Sequence, residues 1–302
     1  MEYNVFQYGV DDHFIKGILE GASVAGYRVV GSEEWFCRRF EQNPLGKAVL
    51  ACAFDEDRMV SCVAVERMPI QCEGKTLVGG CVHVLFFAKG YGTQDLWVDL
   101  LKVIEEECSR QGLELLISDN NNSLIDSAVG HGWAYPKGLV RYRFNSVTGL
   151  WRNIFKMLDM RKPFVADDKA EWDQNGKVDE LSCVPDYFKW LIRTSLERIV
   201  VVDNEEVCAV MAIGHRGKRV RDAQICYFEP KKRVGDAQRS LVEYIKGHFT
   251  KEEIDVVSCV DSKNYLSKKN SFRVSQEVTY CYKWIGEYVE VEVPVISTLL
   301  FF

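Results

Sequence analysis

Two glycines separated by one residue, Gly90 and Gly92, stand in the segment FFAKGYGTQD at residues 86–95. The segment lies between an apolar run typical of a strand and a stretch whose apolar residues recur every four positions, as in an amphipathic helix. The first amides of a helix lack intrahelical acceptors, and glycine lets an anion approach them closely. The junction therefore predicts a main-chain anion site, with a tight turn that needs glycine only for steric reasons as the simpler alternative.

Neither of the two common glycine-rich phosphate motifs is present at this junction. A P-loop requires Gly-Lys-Ser or Gly-Lys-Thr, and the dinucleotide fingerprint requires three glycines in a parallel βαβ unit. If a phosphate binds here, the unpaired amides and the positive end of the helix dipole must hold it.

The elements that would position this turn are predicted by apolar periodicity. Helices are expected over DDHFIKGILEGA and SEEWFCRRFEQN, followed by three strands with hairpin-length connections, KAVLACAFD, RMVSCVAVERMPI and TLVGGCVHVLFF. After the glycines come a helix that ends at Gly112, a buried strand (LELLIS), an Asn-rich loop and a short helix. A strand in GLVRYRF is predicted to close this half near residue 144.

The same order of elements returns in the second half of the chain. An aromatic-rich helix, PDYFKWLIRTSLE, precedes a hairpin, a third strand, the helix GDAQRSLVEYIKGHF and a buried strand, with EVTYCYKW as the terminal strand. This weak repeat predicts an α/β (α+β) protein of two related domains, residues 1–145 and 146–302. Each domain is expected to contain a mixed, mostly antiparallel sheet flanked by helices.

Composition restricts the classes of function. The chain has 302 residues, 47% of them hydrophobic, and a net charge of −6, which favours a soluble globular protein and argues against a nucleic-acid partner. No apolar run approaches the length needed to cross a bilayer, so no membrane role is expected. The 11 cysteines form no Cys-x-x-Cys pair and no histidine lies at ligand spacing, which predicts no metal and a reducing, cytoplasmic setting.

A strand, a Gly-x-Gly turn, a helix, a buried strand, an Asn-rich loop and a Gly-aromatic pair occur in the same order in a known superfamily. The N-terminal half resembles the GNAT superfamily of acyl-CoA N-acyltransferases, whose turn reads Arg/Gln-x-x-Gly-x-Gly/Ala. It is also similar to acetyltransferase-like proteins found with bacterial surface-polysaccharide genes. The matching segments are Phe87-Ala88-Lys89-Gly90-Tyr91-Gly92, Asn122-Ser123 and Gly132-Trp133.

The resemblance implies acetyl-CoA as co-substrate, with its pyrophosphate on backbone amides and its thioester carbonyl on an amide of the fourth strand. The acceptor would be a primary amine of a small molecule or an amino sugar. No oligomeric state is implied. The residues expected to contact the cofactor are Val84, Phe86, Ala88, Lys89, Gly90, Tyr91, Gly92, Thr93 and Asn122.

Acyl transfer to an amine also requires a proton acceptor, and two side chains on the predicted strands are candidates. His83 lies on the fourth strand and has a suitable intrinsic pKa, and Glu66 lies on the preceding strand. The alternatives are a packed histidine with satisfied ring nitrogens and an exposed carboxylate at a strand end. Cys81 is a conceivable nucleophile, but without a positioned histidine and a third group it is interpreted as a buried strand residue.

Departures from the family pattern leave other hypotheses open. Phe87 stands where Arg or Gln is usual, and Ala128 stands near the position of a general-acid tyrosine. These losses favour a non-catalytic protein that retains the fold and binds a ligand. In the second half, Lys232-Arg233-Val234-Gly235-Asp236-Ala237 echoes the turn with one glycine, which predicts a degenerate partner domain. A third hypothesis is a relative of acyl- or aminoacyl-transferring enzymes that pair two such domains.

Overall fold

The chain forms two compact units. The computed structural model describes residues 1–7, 12–25, 33–72, 75–118, 127–134, 140–145, 185–194, 198–216, 220–248, 256–261, 273–277 and 281–286. The first unit contains residues 1–137 and 279–295, and the second contains residues 138–278 and 296–302. Each unit has its own six-stranded sheet.

The sheet of the first unit has the order β1-β2-β3-β4-β5-β12. All neighbouring strands are antiparallel except β4 and β5, which are parallel. β3 and β4 are the longest strands and form a hairpin in its centre. The strands are β1 (Glu2–Gln7), β2 (Val49–Asp55), β3 (Arg58–Cys72), β4 (Lys75–Phe87), β5 (Leu115–Ser118) and β12 (Cys281–Trp284).

Helices cover both faces of this sheet. Helices α1 (Asp12–Ala25) and α2 (Glu33–Phe40) pack on one face, where their apolar residues meet Leu50 and Phe86. Helix α3 (Gln94–Arg110) packs on the opposite face and buries Trp97 and Leu100 against the other side of the same strands. Because side chains alternate along a strand, β2, β3 and β4 each contribute residues to the hydrophobic cores on both faces of the sheet.

The second unit repeats the parallel pair inside an otherwise antiparallel sheet. Its order is β11-β6-β10-β9-β8-β7, with β9 and β10 parallel. Its helices are α4 (Asp186–Thr194) and α5 (Val234–His248), and α5 packs on β8 and β9. The strands are β6 (Val140–Asn145), β7 (Arg198–Asp203), β8 (Val207–Arg216), β9 (Val220–Pro230), β10 (Val256–Asp261) and β11 (Arg273–Glu277).

Two strands belong to a different sheet from the one that the sequence predicts. β6, expected to close the N-terminal half, pairs with β10 and β11 of the second sheet, whereas β12, expected to end the C-terminal half, pairs with β5 of the first. The predicted placement of both strands is therefore wrong. Apolar alternation identifies a strand but not the edge that receives it, and β5 and β10 offer equivalent edges.

The remaining predicted strands and helices of the first half are confirmed wherever the structure describes them. The predicted division between residues 145 and 146 differs from the units at two segments, residues 138–145 with β6 and residues 279–295 with β12. The predicted Asn-rich loop lies outside the described residues. Within the described ranges, every helix is too short or too polar to cross a membrane.

Candidate functional site

A β-bulge interrupts β4 shortly before the glycine turn. The register pairs Val84 with Val63, but the next pair joins Phe86 with Cys62. Leu85 is therefore an extra residue on β4. A bulge bends its strand and increases the local twist, so the last residues of β4 leave the direction that the earlier residues follow.

The pairing between β4 and β5 ends shortly before the bulge at Leu85. Their parallel register begins at Gly80 and Leu116 and ends at Val82 and Ser118. β4 continues to Phe87. Within the described residues, the part of β4 beyond Val82 has no partner on the side of β5, so its main chain is open there.

The peptide group of Val84 points toward this open side. The amide of Ala88 donates to the carbonyl of Val60 on β3, at 2.8 Å. Because successive peptide groups of a strand point to opposite sides, and the bulge adds one residue, Phe86 faces β3 whereas Val84 faces away from it. The N–H of Val84 is thus a main-chain donor at the point where β4 and β5 separate.

The turn between β4 and α3 is held by its own backbone. Tyr91 donates its amide to the carbonyl of Ala88 at 3.0 Å, and Thr93 donates to the carbonyl of Tyr91 at 2.7 Å. The Thr93 hydroxyl accepts the amide of Leu96 at 3.3 Å and so caps α3. Gly90 has φ of +91°, a conformation that side chains other than hydrogen disfavour.

Several amides of the turn have no acceptor in the part of the chain that the structure describes. They are those of Lys89, Gly90, Gly92, Gln94 and Asp95. Among the described residues, a Cβ added at Gly90 would meet nothing within 4 Å, and one at Gly92 would touch only Phe87, at 3.7 Å. Donors at the start of a helix, exposed on an open corner, suit an anion.

The side chain of Tyr91 ties the turn to the hairpin between β2 and β3. Its hydroxyl donates to Asp55 Oδ2 at 2.6 Å, and this hydrogen bond raises the pKa of Tyr91. The amides of Ala88, Tyr91 and Thr93, which the sequence assigns to the cofactor, are used within the protein. Those of Lys89, Gly90 and Gly92 are not.

His83, Glu66 and Arg39 form a polar cluster on the sheet face that carries α1 and α2. Glu66 is buried in the middle of β3, with its side chain 3% exposed, and not at an exposed strand end. Arg39 of α2 donates its Nε–H to Glu66 Oε2 at 2.7 Å. His83 Nε2 faces the same oxygen at 3.4 Å. Buried charges in proteins are normally paired in this way.

The cluster changes the pKa values of both titratable groups. Burial by itself would raise the pKa of Glu66, but the charge of Arg39 and the interaction with His83 outweigh burial and lower it. Burial would lower the pKa of His83, but its interactions with Cys81 and Glu66 raise this pKa well above the ordinary value. His83 therefore carries a proton more readily than a free histidine.

Cys81 belongs to the same group of side chains. It lies directly opposite Glu66 in the register and two residues before His83, hence on the same face of β4. Cys81 is buried within β4, so its interpretation as a buried strand residue is confirmed, although His83 and Glu66 lie beside it. Its neighbourhood raises the pKa of His83.

Arg39 is the member of the cluster that sequence reasoning missed. The spacing of Phe36, Arg39 and Phe40 places all three on one face of α2, and all three are buried. A charged residue within an apolar helical stripe is a signal that a buried partner exists. Glu66, the one carboxylate in the centre of a predicted strand, could have been named as that partner.

The region after β5 supplies fewer groups. Ala128, in place of the family's tyrosine, is buried under α3, and Trp133 donates its Nε1–H to Glu105 at 2.7 Å. His131 is exposed, with Nδ1 2.9 Å from the carbonyl oxygen of Ser127. Asn122 lies outside the described residues.

The second unit contains the corresponding strand, turn and helix. Its β9 has a bulge at Cys226, and α5 begins at Val234 after a short turn. Lys231 binds Asp203, while Asp236 in the first turn of α5 pairs with Arg239 at 2.7 Å. Trp190 is buried and packs on Tyr187.

Known structures resemble the chain although its sequence has diverged widely. No protein-family model matches it, and no curated protein matches it in sequence. A GCN5-related N-acetyltransferase from Anabaena variabilis is 11% identical, with a TM-score of 0.59 over 94% of this chain and 73% of its own. The corresponding enzyme from Kribbella flavida is 14% identical, with a TM-score of 0.58 over 94% and 72%.

A eukaryotic protein has the same architecture. N-myristoyltransferase from Saccharomyces cerevisiae is 10% identical, with a TM-score of 0.56 over 99% of this chain and 89% of its own. Likeness at this level of identity is likeness of fold. The chain has the α/β fold of the GNAT superfamily, as the sequence predicted.

Proposed function

We propose that this GNAT-fold protein transfers an acyl group, acetyl in the first instance, from acyl-CoA to a primary amine of a small molecule or an amino sugar. The proposal depends on the geometry of the turn that follows β4. There, amides without an internal acceptor precede α3, beside the point where β4 separates from β5. The two features together suit a diphosphate followed by an extended chain.

The first unit would hold the donor along this corner. The pyrophosphate would lie on the amides of Lys89, Gly90 and Gly92 and on the first amides of α3, with the positive end of the helix dipole behind it. The pantetheine chain would enter the space beside β4. The N–H of Val84 would then bind the thioester carbonyl and stabilise the negative charge that develops on its oxygen.

The structural neighbours support a CoA thioester as the donor. The N-myristoyltransferase was solved with bound myristoyl-CoA, and two of the neighbours are N-acetyltransferases. Acyl chains of very different length are thus used on this fold. Acetyl-CoA is the proposed donor here, and a series of acyl-CoAs tests that choice.

The protonation chemistry would come from the face of the sheet beside Val84. His83 precedes Val84 on β4. Its side chain is 24% exposed, while its Nε2 atom is buried against Glu66. We retain Asn122 as a cofactor contact from the loop after β5, as the family resemblance implies.

A non-catalytic, ligand-binding protein is the second candidate function. Ala128 provides no proton donor where the family has tyrosine, and Phe87 replaces the first polar residue of the turn motif. Phe87 packs edge-on against Trp97, so this position has become part of the core. A main-chain cradle does not depend on either lost side chain, so binding would survive the loss of catalysis.

A cytoplasmic location is proposed on the basis of the thiols. Seven cysteines are free within the described residues, and Cys52 and Cys62 lie side by side with their sulfurs 3.2 Å apart and unbonded. Thiols so close together remain reduced most readily in a reducing compartment.

Calorimetric titration with acetyl-CoA, octanoyl-CoA and myristoyl-CoA tests the donor site. We compare the wild type with Gly92→Glu, because Gly92 does not have positive φ and a side chain there meets only an ordinary contact. The added carboxylate would face the pyrophosphate. Since like charges brought together at an interface cost several kcal/mol, affinity should fall about 100-fold or more.

Gly235→Glu is the matched control, since Gly235 occupies the first turn of α5 in the second unit and a Cβ there also meets nothing within 4 Å. It should bind acetyl-CoA as the wild type does. Absence of acyl-CoA binding to the wild type would overturn the proposal. Loss of binding in Gly235→Glu but not in Gly92→Glu would move the donor to the second unit.

A further inference from the structure

The bulge in β4 places two consecutive side chains on one face of the sheet. Val82 and Val84 face the core under α3, whereas Leu85 and Phe86 both belong to the core under α1 and α2. Phe87 returns to the face of α3. Regular alternation would give each face every second residue, so the extra residue concentrates apolar bulk on the face of α1 directly after Val84.

Phe86 fills the space between the end of β4 and α1. Its ring is fully buried, and a Cβ added at Gly21 of α1 would lie 2.4 Å from Cζ and 2.6 Å from Cε2 of that ring. Glycine at this position therefore lets the backbone of α1 rest on the edge of the ring. Leu85 is buried as well, so both side chains of the bulge are packed against protein.

The acyl group of a bound thioester would meet this bulge. With its carbonyl oxygen on the N–H of Val84, the thioester lies on the open side of β4, and the pantetheine chain runs back toward the glycine turn. Ahead of it, β4 and β5 are still paired at Val82 and Ser118. The acyl chain must therefore leave the plane of the sheet. The face of α1 and α2 is the one on which His83 is partly exposed, so we place the acyl chain there.

We propose that Phe86, supported by Gly21, restricts the donor to short acyl groups, of which acetyl is the shortest. This inference rests on the proposed function, in which Val84 binds the thioester carbonyl. The fold by itself does not set the acyl length, because its solved examples include N-acetyltransferases and an N-myristoyltransferase with bound myristoyl-CoA. A local side chain must set it, and Phe86 is the largest side chain at the bulge.

Calorimetric titration of the full chain with CoA, acetyl-CoA, butanoyl-CoA and hexanoyl-CoA tests this assignment. CoA carries no acyl group and therefore measures the contacts of the pyrophosphate and the pantetheine chain alone. The wild type should bind acetyl-CoA at least as tightly as CoA. It should bind hexanoyl-CoA about 10-fold more weakly than acetyl-CoA, or weaker still, because extra methylene groups do not fit into a packed core without strain.

Phe86→Leu and Phe86→Ala reduce the proposed barrier in two steps. Leucine is shorter than phenylalanine and should admit butanoyl-CoA, whereas alanine removes the whole ring and should admit hexanoyl-CoA. Burial of each methylene group favours binding, so affinity relative to CoA should rise about 10-fold for butanoyl-CoA in Phe86→Leu and about 100-fold for hexanoyl-CoA in Phe86→Ala. Phe86→Leu keeps the core filled better and serves if Phe86→Ala does not fold.

Phe54→Leu is the matched control. Phe54 packs on the same core and contacts Phe14 of α1 edge-on, with 5.8 Å between the ring centroids. It lies on β2, however, and β3 separates that strand from β4. The same loss of atoms at this position should leave the order of the four affinities as it is in the wild type.

Equal affinities of the wild type for acetyl-CoA and hexanoyl-CoA would overturn the inference and leave the donor site intact. An unchanged order of affinities in Phe86→Leu would do the same. A change of equal size in Phe54→Leu would mean that loosening of the core, and not the position of Phe86, admits the longer chains, and it would also overturn the inference. Absence of binding by CoA and by every acyl-CoA would remove the proposed function as well.

Discussion

The turn before α3 and the turn before α5 follow the same order of strand, bulge and helix, but their lysines differ in their ion-pair partners. Each follows a bulged strand, and each is tied to an aspartate at the end of the hairpin's first strand, Asp55 or Asp203. In the first unit the tie is the neutral phenol of Tyr91. In the second it is the ammonium group of Lys231, and Lys232 is held by Glu205.

This difference affects which charges remain for a ligand. Lys89 in the first turn has no ion-pair partner within the described ranges of the chain, whereas both lysines of the second turn are paired with carboxylates. In the second turn the two lysines are neutralised by carboxylates, and Arg233 is the cation that remains without an ion-pair partner within the described ranges.

The positions of the polar cluster of His83 and Glu66 are occupied by different residues in the second unit. Alignment of the bulges makes the pair Val63–Val84 equivalent to the pair Met211–Ile225. His83 then corresponds to Gln224, Glu66 to Gly214 and Cys81 to Asp222, so the second unit has neither the histidine nor the glutamate at these positions.

The largest expected effect compares a buried ion pair with an exposed one. Arg39→Met removes the cation closest to the buried carboxylate of Glu66, leaving His83 as its remaining charged neighbour that the structure shows, and should lower the free energy of unfolding by about 3–5 kcal/mol. Lys231→Met breaks the half-exposed pair with Asp203 and should cost about 0–1 kcal/mol. Urea denaturation measures both.

The control restores charge balance in the buried pair. Arg39→Met combined with Glu66→Leu removes both charges and should recover most of the stability that Arg39→Met loses. Equal losses in Arg39→Met and Lys231→Met would show that Glu66 finds another partner or reaches water, and the contrast between the two units would be withdrawn.

Most of the elements around the first turn could be predicted from the sequence, because each depends on local periodicity. The helix after the glycines follows from the recurrence of Leu96, Leu100 and Ile104, and these residues are buried as expected. The glycine turn follows from the junction of two different periods. Such patterns lie within one segment of the chain and can be identified without knowing which other segments it contacts.

What the sequence could not supply depends on contacts between distant segments. The bulge at Leu85 leaves no mark in the pattern of β4, although it determines where β4 and β5 separate. β6 and β12 alternate like any strands, and only the edges available in the folded chain decide their sheets. The contact between Glu66 and Arg39 forms only when α2 packs against the middle of β3.

A smaller effect, opposite in sign between the units, is expected at the two glycines. Gly90 has φ of +91°, so Gly90→Ala should destabilise the protein by about 1–2 kcal/mol, even though its Cβ would meet no atom. Gly235 lies within α5 and does not have positive φ, so Gly235→Ala should stabilise by up to about 1 kcal/mol.

Thermal and urea unfolding of both alanine variants measure this difference. Gly90→Asn is the control, because asparagine tolerates positive φ better than alanine and should lose less stability. If Gly90→Ala proved neutral, the turn could relax to negative φ, and its amides would not be held in one arrangement for an anion.

The smallest expected effect concerns the lysines of the two turns. Lys89 is exposed and would approach the pyrophosphate only as a mobile charge beside the main-chain donors. Lys89→Ala should therefore weaken acetyl-CoA binding by about 1 kcal/mol, or roughly 5-fold, and 0.5 M salt should abolish most of the difference. Lys232→Ala removes a lysine already paired with Glu205 and should leave the affinity unchanged.

A loss of 100-fold in Lys89→Ala would mean that the side chain, and not the backbone of the turn, holds the phosphates. A salt-independent loss would mean that Lys89 supports the turn structurally, in which case the contrast with the second unit lies in folding and not in ligand binding.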